Sequence, residues 1–190
     1  PDGSGAGKLQ RFGDIIIRAL EDDDVAKVQP YFDNLSPATR SKYHPYKFTA
    51  DDIATIARQL HADTSAHVGA FCDDGGGERM VGHVWYSHEG GYGNPGLGIG
   101  IVDDFQGRGI GQRLMSEIDA VARKRGERRI ELSCYSDNLQ ALRVYSKAGY
   151  RIVSRAREGG QICMVREFAD DESPFSIRGM YAHAIPWNIA

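Results

Sequence analysis

Apolar and polar positions alternate with a period of two in several short runs, and with a helical period in the stretches between them. Residues 14–20 (DIIIRAL) read as a first strand, with Arg18 set against the isoleucines. Glu21 to Asp24 open a helix whose apolar positions Val25, Val28, Phe32 and Leu35 recur at helical spacing. Carboxylates in a first turn complement the helix dipole, so this acidic cluster is a helix start rather than a metal site. Pro30 is expected to bend or shorten the helix. Ser36 before Pro37 forms an N-cap followed by a first-position proline, and Thr49 to Asp52 resembles a capping box. Behind it, Ile53, Ile56, Ala57 and Leu60 make a buried stripe.

Residues 66–72 (AHVGAFC) and 80–86 (MVGHVWY) predict an antiparallel hairpin across a loop containing Gly75, Gly76 and Gly77. A strand over 97–102 follows a Gly/Pro-rich loop. The next helix carries Ile110, Leu114, Ile118 and Val121 on one face and stops at Lys124-Arg125-Gly126. A strand at 129–135, a helix from Asp137 to Ala148, and a closing hairpin of 150–153 and 162–168 complete the pattern. Strands that first meander and then alternate with helices predict an α/β fold with a sheet of mixed sense.

The chain of 190 residues is long enough for one domain over 13–169 with a sizeable core. The opening Pro1 to Gly7 reads as a flexible leader or fusion remnant, extended here to residues 1–12 and set apart from the fold. Residues 170–190 are apolar for a chain end, with Phe175, Ile177, Met180, Tyr181, Ile185, Trp187 and Ile189. They are expected to pack on the domain or on a second subunit in a homodimer. A net charge of −3 argues against nucleic acid as a partner, and no apolar run approaches a membrane span. Three widely spaced cysteines, Cys72, Cys134 and Cys163, read as reduced thiols in a cytoplasmic setting. The six histidines show no metal-ligand spacing, so no metal is expected.

Candidate chemistry gathers at Gln106-Gly107-Arg108-Gly109-Ile110-Gly111, between the strand at 97–102 and the helix after it. Glycine lets the backbone turn tightly and approach a ligand, and the first N–H groups of a helix have no internal partner. A strand–glycine turn–helix therefore suits phosphate, with Arg108 and Arg113 adding positive charge. The spacing is neither Walker A nor the dinucleotide G-x-G-x-x-G, and a purely structural turn remains open on these residues alone.

A second block, Ser136 to Tyr150 (SDNLQALRVYSKAGY), stands one helix and one strand further on. Together with IVDDFQGRGIGQRLM at 101–115 it closely resembles the GNAT superfamily of acyl-CoA-dependent N-acetyltransferases. Gln106, Gly109 and Gly111 match that family's pyrophosphate loop; Asn138, Ala141 and Tyr145 match its Asn-x-x-Ala-x-x-x-Tyr pattern. The resemblance covers roughly 14–168 and is strongest from 97 to 153. It implies a mixed, mostly antiparallel sheet with helices on both faces and a splayed parallel strand pair at the cofactor site.

Acetyl-CoA is the implied donor. The resemblance assigns backbone of Ile101, Val102 and Asp103 to the pantetheine arm, and that of Gln106, Gly107, Arg108, Gly109, Ile110, Gly111 and Gln112 to the pyrophosphate. Asn138 meets the cofactor from the next strand's end, and Tyr145 protonates the departing thiolate. A phenol donor eases departure of a thiolate with a pKa near 8.5, and holding amine and thioester together supplies the rest by proximity. On its own Tyr145, beside Ala141 and Ala148 at helical spacing, also reads as a core aromatic.

An arriving ammonium must lose a proton, and here the family pattern departs. Where some relatives carry a glutamate five residues before the asparagine, this chain has Ser133. Glu131, on the same strand face, is the leading base; His83 and His88 are others, and Ser133 with water is a further route. Gly98 and Gly100 share a face that either clears space for the acceptor or marks a bulge. Segments 40–49 and 86–95 are expected to shape the acceptor cleft, and LSPATR resembles the front of GNAT domains attached to bacterial protein-lysine acetylases. The expected function is transfer of acetyl to a primary amine on a small molecule or a protein lysine, by direct attack in a ternary complex. The alternative is a catalytically silent acyl-CoA-binding domain that senses or assembles.

Overall fold

In the computed structural model, residues 15–43, 46–73, 75–89, 94–155 and 160–168 are described; the leader at 1–12 and the tail at 170–190 lie outside them. The strands are β1 (Ile15–Ala19), β2 (Ser65–Asp73), β3 (Glu78–Ser87), β4 (Gly96–Ile101), β5 (Arg129–Tyr135), β6 (Arg151–Arg155) and β7 (Gln161–Glu167). The helices are α1 (Val25–Asp33), α2 (Pro37–Arg40), α3 (Ala50–Gln59), α4 (Ile110–Lys124) and α5 (Leu139–Lys147). Every strand and helix read from periodicity is present, with ends moved by a residue or two; α2 grows from the Ser36 cap, whose hydroxyl accepts from the Thr39 N–H. Pro30 sits inside α1, which runs on to Asp33. The acidic start is a 3₁₀ turn closed by a Glu21/Asp24 capping box. Asp24 is buried and receives Arg18 and Lys27, both of which also bind Glu78.

One sheet of seven strands has the order β1-β2-β3-β4-β5-β7-β6, antiparallel except where β4 meets β5. Alternation along the strands sends successive side chains to opposite faces. Gly82 pairs with Ile101, and its face meets Leu114 of α4; Gly100, one position on, faces Tyr31 of α1 and Tyr43. Helices therefore cover both faces. Strands β2 and β3, covered on both sides, are buried over almost their whole length, and the core runs between α4 and the sheet through Leu114, Met115 and Ile118.

The glycines of β4 do not clear space for an acceptor, nor does a bulge explain them. A Cβ on Gly98 would stand 2.7 Å from the Trp85 indole, and one on Gly100 2.6 Å from the Tyr31 hydroxyl and 2.8 Å from the Tyr43 ring. These positions are already filled by aromatics that pack directly on the strand backbone.

Between β4 and β5 the ladder is short. Gly96 and Glu131 form the one register pair among the described residues, with the Glu131 N–H bonded to Pro95 O at 2.9 Å. Beyond it the parallel strands separate, and each finds its partner on its other side: β4 on β3, β5 on β7. Unpaired inner edges of two strands are thus held open by the rest of the sheet.

Candidate active site

A cavity of about 290 Å³ lies along this opening. Ile99, Gly100 and Ile101 of β4 form one edge and Ser133 and Cys134 of β5 the other. Asn138, Ala141, Val144 and Tyr145 close it from α5, and Thr39, Lys42 and Tyr43 from the segment through α2. Of the residues assigned to the cofactor by sequence, Ile101, Asp103, Gln106, Gly111, Asn138, Ala141 and Tyr145 line it. Gly107, Arg108 and Gly109 lie exposed at the turn itself, Val102 and Ile110 are buried, and Gln112 ties α4 to α5 through Val144 O at 2.8 Å.

The glycine turn is built by backbone conformation. Gly107 and Gly109 have φ of 73° and 79°, a left-handed region that other L-residues enter only with strain. Gly109 caps α4, and no side chain fills the cap. Gly111 is buried, its Cβ position 3.4 Å from Ile101 and Val144. The approach to the turn is braced from below: Asp103 accepts from the Ser36 N–H at 3.1 Å, the Ser36 hydroxyl at 2.7 Å and the Thr39 hydroxyl at 3.0 Å. Desolvation pushes the Asp103 carboxyl up, yet these donors leave it below the ordinary carboxylate range. Gln106 donates to Ile101 O at 2.9 Å and to Thr39 at 3.3 Å, so α2 and the turn hold one another.

Tyr145 stands opposite, 6% exposed, on α5. The Asn138 side chain caps this helix at the Ala141 N–H, which fixes the rotation that turns Tyr145 inward. Burial, then the neighbouring Cys134, holds the phenol well above its ordinary range, so it keeps its proton at any working pH. Burial also pushes the Cys134 thiol up to about 11, which makes it a poor nucleophile at neutral pH. Cys72 and Cys134 are buried and Cys163 partly so, and none of the three is in a disulfide.

A second cavity of about 430 Å³ adjoins the first at Ser133, which lines both. Its walls come from Tyr46, from α3 (Asp52, Thr55, Gln59), from the end of β3 (Trp85, Ser87, Glu89) and from β5 (Glu131 to Ser133). Segments 40–49 and 86–95 therefore divide their work: Lys42 and Tyr43 face the first cavity, and Tyr46, Ser87, Glu89 and Asn94 the second. Residues 44, 45 and 90–93 lie outside the described ones. Glu131 receives Arg129 at 2.8 Å and Asn94 at 2.9 Å. His88 is bonded to Glu127 at 2.8 Å and lines neither cavity.

His83 belongs to a buried chain that no local sequence spacing announced. The Tyr43 hydroxyl meets His83 Nδ1 at 2.9 Å; His83 Nε2 meets His67 Nδ1 at 3.0 Å; His67 Nε2 meets Gln59 Oε1 at 3.0 Å. The Gln59 amide nitrogen donates to Ser87 at 3.3 Å and Glu89 at 2.9 Å, so its oxygen must accept. Each neutral imidazole then has one donor and one acceptor, and every donor points from Tyr43 toward Glu89. The chain links a wall of the first cavity to a wall of the second.

Burial pushes His67 down to about 4 and His83 well below its ordinary 6.5. From pH 6.5 to 4 the unfolded chain binds protons that the folded one refuses, so stability falls as pH falls through that window. Asp119, pushed up to about 6 by desolvation, gains its proton early and offsets part of the loss. Glu89 and Asp24 stay ionised there, at about 2 and lower. The melting temperature should therefore drop steadily between pH 6.5 and 4.5. A flat profile contradicts two buried neutral rings.

No helix among the described residues is long and apolar enough to cross a membrane, and none of their His, Cys, Asp and Glu side chains form a group able to hold a metal ion. Residues 30–150 match the model of the Acetyltransferase (GNAT) family. No curated protein sequence matches. Among solved structures, the GNAT domain of S. lividans PAT is 25% identical, superposes with a TM-score of 0.66, and is matched over 80% of this chain and 89% of its own. The ribosomal-protein-S5-alanine acetyltransferase from Vibrio fischeri is 17% identical with a TM-score of 0.67, over 84% and 96%. A putative acetyltransferase, yncA from Salmonella typhimurium with its cofactor acetyl-CoA, is 17% identical with a TM-score of 0.64, over 85% and 98%.

Proposed function

The chain belongs to the acetyltransferase (GNAT) family, with acetyl-CoA as acyl donor, and from that premise we propose that it acetylates a primary amine by direct attack in a ternary complex. The observation that carries the reading is the divergence of β4 and β5 beyond Gly96 and Glu131, with two cavities meeting at Ser133 in the gap. The donor occupies the smaller one. Its diphosphate takes the N–H groups of the turn between Gln106 and Gln112, and its pantetheine arm runs along Ile101 to Asp103, where β5 has diverged from β4. Asn138 and Ala141 bound the arm from α5.

The amine enters through the larger cavity and meets the thioester at Ser133. Proximity and orientation supply most of the acceleration. Glu131, with Ser133 and a bridging water, takes the ammonium proton. The nitrogen attacks the carbonyl carbon, the C–S bond breaks, and Tyr145 hydrogen-bonds the sulfur as it becomes thiolate. The second proton of the acylated nitrogen passes through water to that thiolate, leaving the amide and the CoA thiol. A phenol with a raised pKa is a weak acid but a dependable donor, and this bond strengthens only as charge develops on sulfur. The free thiols are not required, since attack is direct.

CoA release from acetyl-CoA over a panel of amines tests the reading. Release with at least one primary amine, and a fall in kcat in Glu131→Gln, are expected. Tight acetyl-CoA binding with no release for any amine would instead describe a silent binding module.

A further inference from the structure

The larger cavity has a charge pattern of its own. Asp52, Glu89 and Glu131 line it, and no lysine, arginine or histidine does so among the described residues. Arg58 grips Glu89 at 2.5 and 2.9 Å from the solvent side, itself 61% exposed, and Gln59 adds a third bond at 2.9 Å. That grip keeps Glu89 anionic at any working pH. Asp52 spends Oδ2 on the Lys47 and Thr49 N–H groups and the Thr49 hydroxyl, and its other oxygen takes none of these bonds. Setting Arg58 against Glu89 and Arg129 against Glu131 still leaves one negative charge, with the carboxylates nearer the space than their partners.

Two aromatic walls point the same way. Tyr46 and Trp85 stand edge to face with ring centroids 5.5 Å apart, and ring faces attract cations. Trp85 is 9% exposed, its indole lying against the β4 backbone at Gly98.

We propose that this cavity selects an acceptor with a second positive charge: a linear alkyl diamine or similar aminoalkyl cation, its reactive amine at Ser133 and its far ammonium at Glu89 and Asp52. The proposal rests on the acetyl-transfer reading above. Glu89 stands just past the end of β3 and Ser133 on β5, two strand spacings across the sheet and four residues apart in register. Their backbones are therefore roughly 16 Å apart, a gap that two side chains and a short alkyl chain between them bridge.

The test compares 1,5-diaminopentane, 5-aminopentan-1-ol and 6-aminohexanoate, which share a five-methylene chain and differ at the far end, by kcat/KM for CoA release. The diamine should lead the alcohol by about tenfold, the scale of one partly desolvated cation contact, with the carboxylate slowest. Added salt should shrink that lead in the unaltered protein, a readout that needs no substitution. Glu89→Gln should bring the diamine-to-alcohol ratio toward one, and Glu89→Lys should raise the carboxylate above the diamine. Equal values for the three compounds, or a diamine preference that survives both variants, overturns the proposal. If all three are inert while another amine class releases CoA, the diamine assignment falls and acetyl transfer stands. If no amine releases CoA, both fall.

Discussion

Tyr145→Phe should lower kcat by roughly 10²-fold or more while leaving the affinity for acetyl-CoA close to unchanged, the range expected for loss of one general-acid contact. The split follows from position. The ring packs on Tyr150 at a centroid distance of 6.1 Å and lines the donor cavity beside Cys134, so phenylalanine keeps the wall and removes only the hydroxyl. Ground-state binding draws on backbone far from that oxygen; the developing thiolate draws on the oxygen itself. Single-turnover kinetics with saturating acetyl-CoA separates the two. An unaltered kcat with chemistry rate-limiting removes Tyr145 from the reaction, and a matching loss of CoA affinity makes it a packing residue instead.

The second large effect belongs to the glycine turn. Gly111→Glu should weaken CoA binding by about 100-fold or more, since losing two charge-assisted hydrogen bonds at ~1.5 kcal/mol each removes ~3 kcal/mol. A Cβ here meets Ile101 and Val144 at 3.4 Å, so Gly111→Ala fits with small adjustments and serves as the control for bulk. The carboxylate extends into the cavity that Gly111 lines, where a diphosphate is expected. Gly109→Glu should act similarly, but its φ of 79° adds backbone strain of ~1–2 kcal/mol, which Gly109→Ala measures alone as a fall in melting temperature. Calorimetric titration with CoA reads all four variants. Equal affinity in Gly111→Glu and Gly111→Ala contradicts phosphate binding at this turn.

Much of this architecture is local and therefore legible in the chain. The α4 stripe of Ile110, Leu114 and Ile118, the caps at Ser36 and Thr49, and the glycines at 107 and 109 each reflect a constraint settled within a few residues. So does the strand at 129–135, whose ends the alternation gives to the residue. Part of the smaller cavity was readable for the same reason: Ile101 to Gly111 and Asn138 to Tyr145 carry much of its wall in two compact blocks, while Thr39, Lys42 and Tyr43 come from elsewhere in the chain. What the pattern hid is assembled from a distance. Tyr43, His67, His83 and Gln59 come from a connecting segment, two strands and a helix, and only the antiparallel register of β2 on β3 brings their polar atoms into line.

The β2 alternation of polar and apolar residues by itself reads as a half-exposed strand, and only its burial marks the hydrogen-bonded chain. In β2 the polar Ser65 and His67 alternate with Ala66 and Val68, yet all four are buried, which requires polar partners on the face opposite α4. Gly98 and Gly100 misled for a related reason. A missing side chain marks close approach by something, and sequence alone does not say whether it is a ligand or the protein's own Trp85 and Tyr43. The larger cavity draws on Tyr46, α3 and four strands, so its acidic lining of Asp52, Glu89 and Glu131 appears as unrelated surface charges along the chain.

The account turns on main-chain N–H groups after Val102 gripping a diphosphate so that the thioester lies in the gap between β4 and β5. A crystal structure with bound CoA tests this most directly. The diphosphate should sit on the N–H groups between Gln106 and Gln112, the pantetheine amides should pair with β4 at Ile101 to Asp103, and the sulfur should lie within hydrogen-bonding reach of the Tyr145 hydroxyl. CoA found elsewhere on the protein, with that turn bare and Tyr145 away from sulfur, contradicts it.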